Sequence, residues 1–379
     1  MSADLAMLLN AFDRNRLSRR QLLKALGLAV AVRPASAFAQ GQCGGARAGT
    51  PECDPTPAKL PFEPTGWKTV LLDHFSCHVA DYPKEAAYYA ALMNWKIRSD
   101  DGKQAVLDIG DWGGLVLRGG YQAPTPTPTP AADAAAAGGA GGTGGRGGGA
   151  GGGPRAPHLA AFDSFCWGIE PWDAKKVEAE LRKRGLTPVA DNQGKDFQSF
   201  HVKDPGGFDL QISNGNRKNR RQGSANGKTS AAAPFEATNW KTVWLDHISF
   251  EVPNYKESVA FYTALLGWKP GTDEGSLNQC EIGDVGGIII RRGGGGNRGG
   301  GAGTTPVARP AAMGHISFGI TPFDPDQVKA ELEKRELTAR VDTGGRGDIH
   351  TSAYKSYHTT TPNGFDLQIS ATTRGNRAG

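Results

Sequence analysis

The sequence predicts an α+β fold of four repeated modules in two pairs, and three observations carry that expectation. The stretch Trp67–Val79 returns as Trp240–Val252 at a constant shift of 173 positions. A second stretch, Pro205–Ser213, returns as Pro362–Ser370 with a single change, Gly206 to Asn363. Between these landmarks every segment reads as an alternating apolar strand, a capped helix and further short strands. A duplicated segment is a duplicated structural unit, so the order is A, B, A′, B′.

The A and A′ modules share the opening strand, a helix and the motif Ile-Gly-Asp-x-Gly-Gly at Ile109–Gly114 and Ile282–Gly287. In A′ the strand Asp246–Val252 leads to Asn254, an N-cap with Glu257 three residues on, and the helix stops at Gly267. In B′ the strand His315–Ile320 leads to Asp324, with Pro325 at the first helical position, Gln327 completing a capping box, and Val328 and Leu332 on one face. Module B repeats this with Asp173, Val177, Leu181 and a stop at Gly185.

Strand alternation then sorts side chains between two faces. His247, Ser249 and Glu251 point one way and Ile248, Phe250 and Val252 the other; His315, Ser317 and Gly319 oppose Ile316, Phe318 and Ile320. On the last strand Asp366, Gln368 and Ser370 oppose Phe365, Leu367 and Ile369. The apolar sets pack against helices, which leaves a polar cleft lined by His, Ser, Glu and Gln.

Composition fixes the surroundings of these modules. Residues 1–39 read as a twin-arginine export signal, with Arg19-Arg20, a short apolar run Ala25–Val32 and small residues up to Ala39. That run is far shorter than the roughly 20 residues a membrane span needs. The leader's six basic and two acidic residues carry +4 of the formal +5, so the mature chain is almost neutral and shows no nucleic-acid footprint. The basic cluster Arg217-Lys218-Asn219-Arg220-Arg221 has no interleaved aromatics and reads as a solvated linker. Domains are accordingly expected at 59–215, with a Gly/Pro-rich disordered insert at 122–157, and at 234–372, with a Gly-rich loop at 293–310. A tail at 40–58 and a basic linker at 216–233 complete the chain. Cys43 and Cys53 are close enough in sequence to pair in an oxidising compartment, while Cys77, Cys166 and Cys280 lie singly in apolar runs and read as packing residues.

The Asp-His-Ile-Ser-Phe-Glu-Val strand (Asp246–Val252), the helix ending Phe-Tyr-x-x-Leu-Leu-Gly-Trp (Phe261–Trp268) and the closing Asp-Pro-Gly-Gly-Phe-Asp-Leu-Gln-Ile (Asp204–Ile212) resemble the vicinal oxygen chelate superfamily. Its members include glyoxalases, bleomycin-resistance proteins and extradiol dioxygenases. The resemblance implies four βαβββ modules, each pair forming a cupped mixed sheet with the helices outside. It also implies that a metal, when present, sits in the cup, held from the first and last strands of the modules.

Carried onto this chain, the first-strand positions are His74, Ser164, His247 and His315, and the last-strand positions are Arg118, Gln211, Arg291 and Gln368. The resemblance thus makes His247, His315 and Gln368 the metal ligands, with Fe, Mn, Zn or a similar divalent ion. Glu251 or His358 would move a proton and Arg291 would hold a substrate carboxylate. Gln stands where a carboxylate is expected, and Ser164 leaves the first pair without a second histidine, so the second pair is the expected active half. His350 reads as loop surface. Two functions follow. One is an exported metal-dependent lyase, isomerase or ring-cleaving dioxygenase acting on a small substrate with adjacent oxygens. The other is a metal-free small-molecule binder of the bleomycin-resistance type.

Overall fold

The computed structural model describes residues 57–122, 160–191, 196–219, 227–293, 311–341 and 356–373. The expected leader, Cys43, Cys53, nearly all of both Gly-rich segments, Arg220, Arg221 and His350 lie outside them. Pro57–Gly271 and Leu277–Gly379 form one compact unit, and the description below is of that unit.

The first half runs β1 (Lys68–Val79), α1 (Tyr82–Met93), β2 (Lys96–Asp100), β3 (Gln104–Ile109), β4 (Gly113–Arg118), β5 (Ala160–Glu170), α2 (Ala174–Lys183), β6 (Val189–Asp191), β7 (Ser199–Lys203) and β8 (Asp209–Ser213). The second half repeats it as β9 (Lys241–Val252), α3 (Tyr255–Leu266), β10 (Lys269–Asp273), β11 (Leu277–Ile282), β12 (Gly286–Arg292), β13 (Ala312–Thr321), α4 (Pro325–Lys334), β14 (Arg340–Val341), β15 (Ser356–Thr360) and β16 (Asp366–Ser370). Each half is one eight-stranded mixed sheet, ordered β2-β3-β4-β1-β5-β8-β7-β6 and β10-β11-β12-β9-β13-β16-β15-β14. This is the expected α+β architecture, with modules paired within the chain, A to B and A′ to B′.

The pairing explains why first strands matter. In each sheet the two opening strands lie side by side and antiparallel at the centre. Each is flanked by the last strand of its own module, running parallel. Four strands therefore bring their alternate side chains onto the middle of one polar face.

The helices start where the capping chemistry puts them. Asn254 accepts from the Glu257 amide at 3.3 Å, Asp324 from Gln327 at 2.9 Å and Asp173 from Lys176 at 3.0 Å. Gly267 closes α3 at a left-handed φ of 70°, where a Cβ would also collide with the Trp67 carbonyl.

That collision marks a feature sequence reasoning missed: α1 and α3 lie outside their own cups but inside a core that both halves share. Trp95, just after α1, donates to Thr242 Oγ1 on β9 at 2.9 Å and meets Phe318 of β13 edge-on. Trp268, just after α3, donates to Thr69 Oγ1 on β1 at 3.0 Å and meets Trp167 of β5. The last helical carbonyls, which have no partner within a helix, are capped across the halves. Thr65 donates to Ala264 and Leu265, and Thr238 to Ala91 and Leu92. Helix side chains reach over as well, Glu85 Oε2 accepting from Asn363 and Tyr262 donating to Asp204. Burial pushes the carboxyls of Glu85 and Asp204 above their ordinary values, against the hydrogen bonds they accept.

Candidate functional site

The polar face of the second sheet gathers most of the histidines of this half. In β9 and β13 a register shift sets Asp246 and His247 side by side opposite Ser317. The row across the sheet is then His247, Ser317, Gln368, His358. One step along lie Ser249, His315 and Asp366. This staggering brings His247 Nε2 to 3.0 Å from His315 Nε2, with the rings nearly perpendicular. The His358 ring stands 5.1 Å beyond the His315 ring.

His247, His358 and Gln368 each have a polar group behind them. His247 Nδ1 lies 3.3 Å from Asp246 Oδ2, which also accepts from Ser317 Oγ at 2.9 Å. His358 Nδ1 lies 2.8 Å from Asp366 Oδ1, and Arg340 donates to Asp366 Oδ2 at 3.0 Å. Gln368 donates through Nε2 to Ser356 Oγ at 2.8 Å, which makes its carbonyl oxygen the end able to ligate.

The electrostatics favour neutral imidazole at the centre. Burial, helped by the fields of His247 and His358 and to a smaller degree Arg291, and opposed by Asp366, holds His315 well below its ordinary value. For Asp366 burial acts upward, but the bond to His358 and the fields of His358, His315 and Arg340 outweigh it, and the carboxyl is depressed.

Donor chemistry tests the fit to a divalent ion. Two ligand nitrogens each about 2.1 Å from one ion and at right angles lie about 3 Å apart, which is the His247–His315 separation. A neutral imidazole donates a lone pair, and the amide oxygen of Gln368 is an acceptor. The donor chemistry present therefore fits a divalent metal, which His247 and His315 would hold with the Gln368 carbonyl oxygen as a third donor.

The remaining expected residues are placed differently. Glu251 is four residues past His247, about 13 Å along the strand, and stands exposed at the rim with its carboxylate toward Gly314. Arg291 pairs with Glu251 in register. Because His315 faces Asp366 and Ser317 faces Gln368, the position in β12 that matches Gln368 is the one opposite Ser249, which is Ile289. The equivalence of Arg291 with Gln368 is thus corrected by two residues. Counting from the shared glycine misplaced it, because Gly207 lies two residues before β8 begins at Asp209 whereas Gly287 is already within β12. The cup has an imidazole floor, an aliphatic wall at Ile289 and a charged rim.

The first sheet repeats the scaffold with other donors. His74 faces Cys166, which pairs with Gln211, which pairs with His201. Gln211 donates to Ser199 Oγ at 2.8 Å, and His201 Nδ1 lies 2.7 Å from Asp209 Oδ2, as in the second cup. Both His–Asp pairs went unnoticed in the sequence, although Phe-Asp-Leu-Gln is written in each half. At the rim Arg118 is paired with Asp163; Gly314 stands in the place of Asp163 in the second half.

No protein-family model matches the chain, and no curated protein matches it by sequence. Solved structures do resemble it. An Mn(II)-bound glyoxalase from Novosphingobium aromaticivorans is 14% identical with a TM-score of 0.51, covering 80% of this chain and 82% of its own. The 2,3-dioxygenase LapB from Pseudomonas sp. KL28 is 13% identical with a TM-score of 0.50, covering 80% and 92%. Homoprotocatechuate 2,3-dioxygenase from Arthrobacter globiformis is 16% identical with a TM-score of 0.50, covering 82% of each chain. The cupped, paired-module sheets define the class: this chain has the fold of the vicinal oxygen chelate superfamily.

Proposed function

We propose that the second cup is the active site of a metal-dependent enzyme acting on a small molecule with two adjacent oxygens. The reading rests on one observation, the convergence of His247 Nε2 and His315 Nε2 to 3.0 Å on the floor of the cup. His247, His315 and the carbonyl of Gln368 would hold a divalent ion, which when bound polarises the paired oxygens of the substrate. His358, oriented by Asp366, is the group placed to take or return a proton at a substrate atom near His315. Arg291 at the rim would receive a substrate carboxylate, Glu251 beside it would set the charge balance there, and Ile289 would face the apolar part. The names of the structural neighbours support glyoxalase-type isomerisation or lysis and extradiol ring cleavage as the reaction classes. Twin-arginine export, read from residues 1–39, agrees with a protein that folds and acquires its metal before crossing the membrane.

One observation favours the metal-free binding alternative. Among the described residues no third His, Cys, Asp or Glu converges on His247 and His315, so a direct imidazole–imidazole hydrogen bond satisfies the same geometry. Metal analysis of protein purified from its native export route separates the two. The enzyme reading expects a stoichiometric divalent ion, and expects His247→Ala with His315→Ala to lower metal affinity and turnover by more than about 100-fold. Metal-free protein that still binds a small ligand in this cup would overturn it.

A further inference from the structure

The first cup is not simply a degraded copy of the second. Among the described residues, one set of three His, Cys, Asp or Glu side chains brings its ligand atoms within 4.8 Å of one another, and it is Asp73, His74 and Cys166. We propose that this is a second metal site, built for a thiophilic divalent ion such as zinc.

The backbone shows how the set arises. A register shift between Leu72 and His74 puts Asp73 and His74 on the same side of β1, and His74 pairs directly with Cys166 on β5. Phe165 and Trp167, the neighbours of Cys166, point into the shared core against Phe250, Tyr262 and Trp268. Cys166 therefore points into the cup, whereas Cys77 and Cys280 belong to the apolar core. Gly114 pairs with His74 on the adjoining strand and puts no side chain beside the imidazole. Gly215 does the same beside Asp73, where a Cβ would lie 2.8 Å from Oδ2.

The donor atoms suit one ion. His74 Nδ1 and Asp73 Oδ1 are 2.8 Å apart, a hydrogen-bond contact that a shared tetrahedral ion would replace and open to about 3.3 Å. A tetrahedral ion would draw sulfur and nitrogen to about 3.5 Å, a small closure from the observed limit. Sulfur and imidazole select zinc over the harder ions, and a carboxylate is an accepted partner ligand beside them. Cys166 occupies the place of Ser317, so the change that removes a histidine at Ser164 is accompanied by a thiol one step along. Asp73 and His74 are each about one-tenth exposed, which leaves access for the ion and for a fourth, exchangeable ligand.

Cobalt(II) is the probe that distinguishes the two cups, because only a thiolate gives a near-ultraviolet sulfur-to-cobalt charge-transfer band. The full chain carrying Cys43→Ser and Cys53→Ser should show this band on titration. His247→Ala with His315→Ala should leave it intact. Cys166→Ser, which installs the residue found at 317, should abolish the band and one equivalent of bound cobalt. His74→Gln and Asp73→Asn should weaken cobalt binding at this site at least 10-fold, with the metal-free melting temperature little changed. A chain that shows no band, or a band that survives Cys166→Ser, overturns the proposal. Should Cys166→Ser fail to fold, full cobalt affinity and an unshifted band in the other two variants do the same. None of these outcomes depends on whether the second cup is active.

Discussion

The two halves of this molecule carry the same scaffold and different chemistry. Both sheets have one strand order, one central antiparallel pair, a Gln tied to a Ser on the neighbouring strand, and a His tied to an Asp two residues before that Gln. They part on the polar face at Ser164 against His315, Cys166 against Ser317, Asp163 against Gly314 and His78 against Glu251, among other positions. None of these side chains carries the sheet's backbone hydrogen bonds. Duplication therefore left the ladder, caps and core as common property while the donors on the cup floor diverged. The repeated Gln–Ser bond gives this Gln position an architectural duty in both halves, Gln211 in the first and Gln368 in the second, and any ligand role of Gln368 is added to it.

The largest effects should come from what the halves share. Trp95→Ala removes a ring packed on Tyr89 and Phe318 and leaves the Thr242 hydroxyl without its donor. Trp268→Ala does the same to Tyr262, Trp167 and Thr69. Each should cost about 3–5 kcal/mol and lower one common transition in thermal or urea unfolding. Two separated transitions, with each substitution moving only one, would show that the halves fold independently and would break the symmetry argument.

A smaller effect should separate the cup floors. Gln368→Glu supplies an anionic ligand beside His247 and His315 and should tighten divalent-metal binding about 10-fold, roughly 1.4 kcal/mol. Gln211→Glu makes the same change where Ser164 has replaced the second histidine. Made in a Cys166→Ser background, so that the first-cup thiol builds no site beside it, it should leave divalent-metal affinity unchanged, as measured by competition with a chelator. Equal gains in both halves would mean that the Gln position alone, and not the pair of histidines, defines the site.

Much of this was legible in the sequence because it is local or periodic. Helix starts at Asn254, Asp324 and Asp173 follow from short-range capping. The faces of β9, β13 and β16 follow from the two-residue period of a strand, which put His247, His315 and Gln368 on one surface. What escaped depends on distance or on irregularity. The donation from Trp95 to Thr242 spans 147 positions, and no window of sequence contains both. Arg291 lies two residues from its counted place because Gly207 precedes its strand while Gly287 is within one, and where a turn ends does not show in the motif itself. Cys166 read as a packing residue because its strand is apolar on both sides, and only its cross-strand partner His74 gives it a chemical context.

The smallest expected effect concerns the two His–Asp pairs, whose surroundings differ in sign. In the first cup His201 lies between two carboxylates, 2.7 Å from Asp209 and 3.4 Å from Asp191. In the second cup Asp366 lies between the His358 imidazole and the Arg340 guanidinium. The hydrogen bond from Asp209, against the effect of burial and with the fields of both carboxylates, raises His201 above 6.5. Burial acts to raise Asp209, but its bonds to His201 and Lys203 prevail and hold it below 3.8. A raised histidine stabilises the fold fully below its unfolded value and loses that contribution as pH climbs through the folded one. A depressed carboxylate contributes above its unfolded value and loses that as pH falls through the folded one. The first-cup pair is therefore strongest between about pH 4 and 6.5. His201→Gln should cost about 1 kcal/mol in urea unfolding at pH 5.5 and close to nothing at pH 9. A cost that is the same at both pH values would mean that His201 is held as a neutral donor, and that the flanking carboxylates of the first cup do not set its charge.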